Sequence, residues 1–185
     1  MRLSGPLLYG FRLVVDLNPL PPGITVTYGL PPGGWKTDLD EFEAACVAAS
    51  QAVSGSVVRK PELDSGPLSY VAAELSIPAS DGKARRVWVY CNKAYPIIAF
   101  KDTTYVIPWG ATKKALFPNN FLSEPELSKS FRSKGFDAVP ISLLTAPPSI
   151  LSLDRLSPEE REETVYSMGY WKSKNVGEVL FNQWD

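Results

Sequence analysis

The chain has 185 residues, of which 44% are hydrophobic and 21% charged, and its formal net charge is −1. This is the composition of one globular domain, and the even charge balance argues against nucleic-acid binding and against attraction to an anionic membrane surface. The chain contains no histidine, which excludes Ser-His-Asp triads, cysteine–histidine pairs and histidine-based zinc sites.

The N-terminal part is divided into short segments by proline and glycine. Leu-Pro-Pro-Gly occurs at 20–23 and again at 30–33, and the β-rich segment 24–28 lies between the two copies. We predict strands over 7–17 and 24–28 that form an N-terminal hairpin, residues 7–30, with the proline pairs in turns.

The clearest helix is predicted over 37–54. Thr37 is the predicted N-cap, and the acidic residues after it suit the positive end of the helix dipole. Gly55 is the predicted residue after the helix end. Apolar residues at helical spacing predict one face packed against a sheet: Leu39, Phe42, Cys46, Ala49 and Val53.

An antiparallel meander of strands is predicted over 68–109. Asp81-Gly82 is a hairpin turn signal between two β-rich segments. Segments 87–91 and 97–100 carry apolar residues on both faces, which indicates central strands of a sheet covered on both sides.

The C-terminal part, 123–185, is predicted to be largely helical. A helix capped by Ser123 ends at Gly135, and 136–144 is a predicted edge strand because it contains a proline. A second helix begins with the capping box of Ser157 and Glu160.

This second helix is predicted to end at Gly169, and a short helix follows over 175–184. The apolar stripe of the short helix is expected to dock on the body of the protein or on a partner. Together these elements predict an α+β fold: an antiparallel β-meander sheet packed against several helices in a single compact domain over 1–185.

Two cysteines, Cys46 and Cys91, allow at most one disulfide, unlike the framework of a small secreted protein. Gly5 and Pro6 interrupt the apolar N-terminus, so we expect no signal peptide, and no apolar segment is long enough to span a bilayer. We expect a cytoplasmic protein with reduced thiols and no membrane association.

The chain has no GxxxxGK, GxGxxG or GxSxG motif, and its one SxxK sequence, at 80–83, lies in the predicted hairpin turn without companion motifs. The acidic runs 38–43 and 159–163 both begin predicted helices, where capping explains them without a metal. We therefore expect neither a cofactor nor a bound metal.

The remaining functional signal is aromatic, because the chain holds five tryptophans and eight tyrosines. Trp35, Trp109 and Trp171 stand at the ends of predicted elements, where side chains line clefts or partner surfaces. The first hypothesis is a non-catalytic protein-binding module of unidentified partner, with the profile of small acidic inhibitors such as immunity proteins. Its predicted contacts are these tryptophans together with Asp38 and Asp40.

The alternative hypothesis is a small metal-independent lyase or isomerase, in which a carboxylate and a tyrosine or lysine move a proton in an apolar pocket. A third possibility is a subunit of a larger assembly. The enzyme candidates lie on the predicted meander: Glu74, Tyr90, Lys93, Asp102 and Tyr105.

Overall fold

The computed structural model of the chain describes residues 16–25, 37–62, 68–102 and 120–182. These residues form five α-helices and six strands, with one 3-10 turn at Pro148–Ile150. In chain order the elements are α1 (Leu39–Ala52), β1 (Ser56–Arg59), β2 (Tyr70–Pro78), β3 (Ala84–Asn92), β4 (Ile97–Asp102), β5 (Phe121–Leu122), α2 (Pro125–Ser133), β6 (Asp137–Ala138), α3 (Ile141–Leu144), α4 (Pro158–Trp171) and α5 (Val176–Leu180).

One sheet with strand order β1-β2-β3-β4-β5 organises the molecule, and its neighbours along this order are antiparallel. The short β6 runs parallel to β4. The turn between β2 and β3 contains Gly82 at a φ of 77°, which glycine adopts without strain. The predicted meander is confirmed over 70–102, and its last predicted strand, 103–109, lies outside the described residues.

One face of the sheet is covered by α1 and α2. Phe42 on α1 lies fully buried beside Phe131 and Phe136, with ring centroids 6.3 and 5.6 Å away. Cys46 also packs on this face, as predicted. The buried strand residues that these rings and helices cover are Val71, Ala73, Leu75, Ile77, Val87, Val89, Cys91, Ile98 and Phe100.

The opposite face is covered by segment 16–25, α3 and α5. Asn92 at the end of β3 is fully buried and joins these parts, because its amide donates to the carbonyls of Ile24 at 3.0 Å and Leu180 at 2.7 Å. Its side-chain oxygen Oδ1 accepts from the backbone N–H groups of Ala94 and Tyr95. The central strands are therefore covered on both sides, as predicted, and the α+β fold is confirmed.

The start of α1 differs from the prediction by one residue. Asp38, not Thr37, is the N-cap, and its Oδ1 accepts from the backbone of Asp40 and Glu41. The Thr37 hydroxyl instead donates to the carbonyl of Asn92 at 2.7 Å and ties the helix start to the sheet.

The end of α1 also differs. Ser54, not Gly55, takes the left-handed conformation, at a φ of 58°. Gly55 instead begins the approach to β1, a strand that the sequence did not predict, and a Cβ at this position would collide with the carbonyl oxygen of Ser76. The glycine therefore serves a close contact between two backbones.

The segment from Ser123 to Leu144 was predicted only in part. Glu124, not Ser123, is the N-cap, and Pro125 occupies the first helical position. The Glu124 side chain makes no capping hydrogen bond and instead pairs with Arg85, whose Nη2 lies 2.6 Å from both carboxylate oxygens. The predicted edge strand 136–144 is wrong beyond Asp137–Ala138, since Pro140 leads into α3.

The predicted N-terminal hairpin and the predicted last helix both differ from the structure in the residues that it describes. Segment 16–25 contains turns and no strand, and the rest of the predicted hairpin 7–30 lies outside the described residues. The last helix is shorter than predicted, but Val176, Val179 and Leu180 are buried, so its docking on the body is confirmed.

Candidate functional site

Helix α4 makes few contacts with the other described residues. Of its 14 residues, only Thr164 is buried. The Thr164 hydroxyl lies 3.1 Å from that of Thr25, and Oε1 of Glu160 accepts from the backbone of Gly23 at 2.8 Å. Met168 and Trp171 pack partly buried against the core. The helix therefore rests on segment 16–25 and displays most of its surface.

Local sequence explains why so exposed a helix forms. Ser157 Oγ accepts from the backbone of Glu160, whose side chain accepts from the backbone of Ser157, so the predicted capping box is confirmed. Pro158 occupies the first helical position, where its missing N–H costs no hydrogen bond. The helix passes the predicted stop at Gly169 and ends at the C-cap Lys172, which has a left-handed φ of 53°.

Two exposed tyrosines stand on the outer side of α4. Tyr166 is 68% exposed and Tyr170 is 62% exposed, and their rings stack with centroids 5.9 Å apart and planes 16° from parallel. The neighbouring Val165 is also exposed. We call these three residues the tyrosine patch.

Trp171 supports the patch from below. Its ring meets that of Tyr170 edge-on at 5.2 Å, and it packs at the same time against the apolar core. The indole is thus half-buried and holds the end of the helix in place.

Exposed carboxylates lie along the same side of the helix. Glu159, Glu162 and Glu163 precede Tyr166 by about one or two turns, and this spacing places all of them opposite Thr164. None of the three forms an ion pair with another described residue. The outer side of α4 therefore carries negative charge followed by aromatic surface.

The residues predicted to contact a partner are divided between α1, α4 and the part of the chain outside the described residues. Asp38 caps α1, and Asp40 lies exposed in its first turn beside a shallow depression that Glu43 and Val47 also line. Trp171 lies in α4 over the other face of the sheet, and the described residues show no contact between it and either aspartate. Trp35 and Trp109 lie outside the described residues.

A buried lysine, which the sequence analysis did not single out, forms a second cluster. Lys101 on β4 is buried, and its Nζ lies 5.1 Å from the ring centre of Tyr90 and 4.9 Å from that of Phe121. Burial lowers the pKa of Lys101 to about 8, an effect that the charge of Glu178 partly opposes. The sequence signal that could have identified Lys101 is its position directly after the apolar residues 97–100 of the same strand.

Tyr90 belongs to the same cluster. Its ring stacks on that of Tyr70 with centroids 4.5 Å apart, and burial raises the pKa of the Tyr90 hydroxyl. The Lys101 amine therefore lies over the Tyr90 ring, and the two side chains are buried titratable groups of one cluster.

The other residues predicted for the enzyme hypothesis lie apart from the Lys101 cluster or outside the described residues. Glu74 shares the sheet face of Tyr90 but pairs with Arg86 at 3.1 Å. Asp102 follows Lys101 and points to the opposite face of the sheet, and Lys93 lies buried beyond the end of β3. Tyr105 lies outside the described residues.

The cysteines are free, and both are buried. Burial raises the pKa of each thiol, with a further contribution from Glu43 at Cys46 and from Cys46 at Cys91. Both residues are therefore protonated packing residues at neutral pH.

Among the described residues, no three histidine, cysteine, aspartate or glutamate side chains are grouped to hold a metal ion. In the same part of the chain, no helix has the length and apolar character needed to cross a bilayer.

Comparisons of the chain with profiles of known protein families, with curated proteins and with solved structures find no match.

Proposed function

We propose that the chain is a non-catalytic, cytoplasmic protein-binding module, of the inhibitor or immunity type, which contacts its partner through the outer side of α4. One observation carries this proposal: Tyr166 and Tyr170 stack in solvent on a helix that buries a single side chain. The fold gains little from these two rings, so their exposure is better explained by binding.

The physical chemistry of interfaces supports the assignment. Tyrosine is among the residues that contribute most to protein interfaces, because it buries a large area while losing little side-chain entropy. The two rings are already stacked on a capped helix, so less conformational freedom is lost when a partner binds. An exposed apolar patch rimmed by polar residues is the usual mark of an interaction surface.

The residues predicted from the sequence fit around this centre to different degrees. Trp171 contacts Tyr170 and acts as its support. Asp38 and Asp40 begin α1 next to Thr37, which is bonded to Asn92, and Asn92 also holds the segment on which α4 rests. Asp38 and Asp40 on α1 remain predicted contacts, and so do Trp35 and Trp109, which lie outside the described residues.

The test compares three forms of the chain as baits in a lysate of the source organism: the wild type, the double variant Y166A/Y170A and the control V47A/V58A. The control removes two exposed valines from α1 and β1, which are 37% and 43% exposed. Circular dichroism first verifies that all three forms are folded.

We expect one protein to be recovered in stoichiometric amount by the wild type and the control, and at least about tenfold less by the tyrosine variant. Equal recovery by all three baits, or no partner on any of them, would contradict the proposal. A wild-type dimer that Y166A/Y170A converts to a monomer would identify the partner as a second copy and contradict the inhibitor assignment.

The Lys101 cluster favours one second candidate, the small lyase or isomerase, with the Lys101 amine and the Tyr90 hydroxyl as proton-transfer groups. Screening small carbonyl and carboxylic acids by thermal shift, on the wild type and on K101M, tests it. The enzyme hypothesis expects a compound that stabilises the wild type and not the variant. It fails if no compound distinguishes the two.

A further inference from the structure

We infer that the outer side of α4 recognises arginine side chains, so that the partner is a cationic protein with arginines at its interface. This inference rests on the proposed function and names the chemistry of the partner. It follows from how the tyrosines and the carboxylates of α4 are arranged.

The first step concerns the tyrosine rings. Tyr166 and Tyr170 are stacked nearly parallel and are both more than half exposed, so they offer aromatic surface to a planar group from outside. A guanidinium group stacks on such a face and is attracted by the negative charge above the ring.

The second step concerns the carboxylates. Glu162 and Glu163 lie four and three residues before Tyr166, a spacing that places them on the same side of the helix, one turn away. A carboxylate binds guanidinium through two parallel hydrogen bonds. Arginine combines a stacking plane with this paired donor geometry, whereas lysine offers only a point charge.

The charge of the helix argues against other occupants. Arg161 is the one basic residue within α4, against four glutamates, of which Glu160 is held by the cap and by Gly23. A nucleic acid or another phosphate-bearing ligand would be repelled by this surface. A cationic protein is attracted to it, and its association is accelerated at low salt.

The experiment titrates two oligopeptides of equal length, oligo-arginine and oligo-lysine, into the ¹⁵N-labelled full chain and follows the amide resonances. Three variants are titrated in parallel: Y166A/Y170A, E162Q/E163Q and the control E41Q/E126Q. The control removes two exposed carboxylates from the first turns of α1 and α2.

We expect oligo-arginine to shift resonances of α4 and to bind about three- to fivefold tighter than oligo-lysine, as stacking on exposed rings implies. Y166A/Y170A should reduce this preference by removing the stacking surface, E162Q/E163Q should weaken the binding of both peptides, and the control should bind like the wild type. Equal affinity of the wild type for the two peptides, a preference that is undiminished in Y166A/Y170A, or shifts centred on α1 would overturn the inference.

The outcome separates this inference from the proposed function. If a partner is captured in a tyrosine-dependent way but the peptides show no arginine preference, the inference alone is wrong. If no tyrosine-dependent partner exists, both are wrong.

Discussion

Helices α1 and α4 have the same length and similar beginnings but opposite relations to the core. Each has 14 residues, a side-chain N-cap and two acidic residues in its first turn. Helix α1 buries five residues against the sheet, whereas α4 buries one. The comparison shows that capping determines where a helix forms, while the placement of apolar residues determines whether it supports the fold or displays a surface.

The distribution of side chains explains this contrast. In α1 the small residues Ala45, Cys46 and Ala49 allow the helix to approach the sheet, and Phe42 fills the space beside them. In α4 the apolar residues come in the second half and spread around the helix, so Trp171 reaches the core while Tyr166 faces solvent.

The largest expected effect tests the supporting role of α1. Phe42→Ala should lower the free energy of unfolding by about 3–5 kcal/mol, because it removes a fully buried ring between two other phenylalanines. Chemical denaturation of the variant and the wild type measures the difference. A loss below about 1 kcal/mol would show that α1 is not the support described here.

The next effect concerns Asn92, whose side chain joins the end of β3 to segment 16–25 and α5. Asn92→Ala should lower the free energy of unfolding by about 2–4 kcal/mol, since it removes the donor to the Ile24 carbonyl and the shorter of two hydrogen bonds to the Leu180 carbonyl, which keeps only the Ser69 hydroxyl at 3.2 Å. Hydrogen exchange should accelerate in α5, which the side chain secures. Unchanged exchange in α5 would contradict this role.

Sequence alone predicted the elements whose signals are local. The capping box of Ser157 and the Asp81-Gly82 turn act within a few residues, and both were identified correctly. The missed strand β1 has mostly exposed residues and pairs only because β2 lies beside it, which no local pattern records. The one-residue error at Thr37 has the same origin, since its hydroxyl binds Asn92, distant in sequence.

The candidate site was predicted less completely than the fold. The sequence pattern singled out Trp171, which supports the tyrosine patch. It did not single out Tyr166 and Tyr170, which form the patch. Their spacing of four residues after an acidic run was the available signal. Their exposure was not predictable, because it depends on how α4 rests on segment 16–25.

A smaller change in the free energy of unfolding is expected when the buried Lys101 is replaced. Burial holds the pKa of Lys101 near 8, below its ordinary value of 10.5, so its charge destabilises the folded state at neutral pH. Lys101→Met should therefore raise the free energy of unfolding at pH 7, on the order of 1–3 kcal/mol.

The pH dependence gives the sign of this effect. Between about pH 8 and 10.5 the unfolded chain binds a proton that the folded chain has released, so the wild type gains stability relative to Lys101→Met as pH rises. Denaturation at several pH values checks this. A variant less stable than the wild type at pH 7, or a difference that does not vary with pH, would contradict it.

The smallest effect on stability is expected where the effect on binding is largest. Y166A/Y170A should change the free energy of unfolding by less than about 1 kcal/mol, because both rings are already in solvent. The difference between this change and the loss caused by Phe42→Ala measures how much more the buried side of α1 contributes to stability than the exposed side of α4. A loss as large as that of Phe42→Ala would make the tyrosines part of the fold.

The most direct test of the central claim is hydrogen exchange of the chain with and without the partner captured on the wild-type bait. We predict slower exchange over α4, strongest near Tyr166 and Tyr170, with α1 unchanged beyond its first turn. Protection centred on the body of α1, with α4 exchanging as in the free chain, would contradict it.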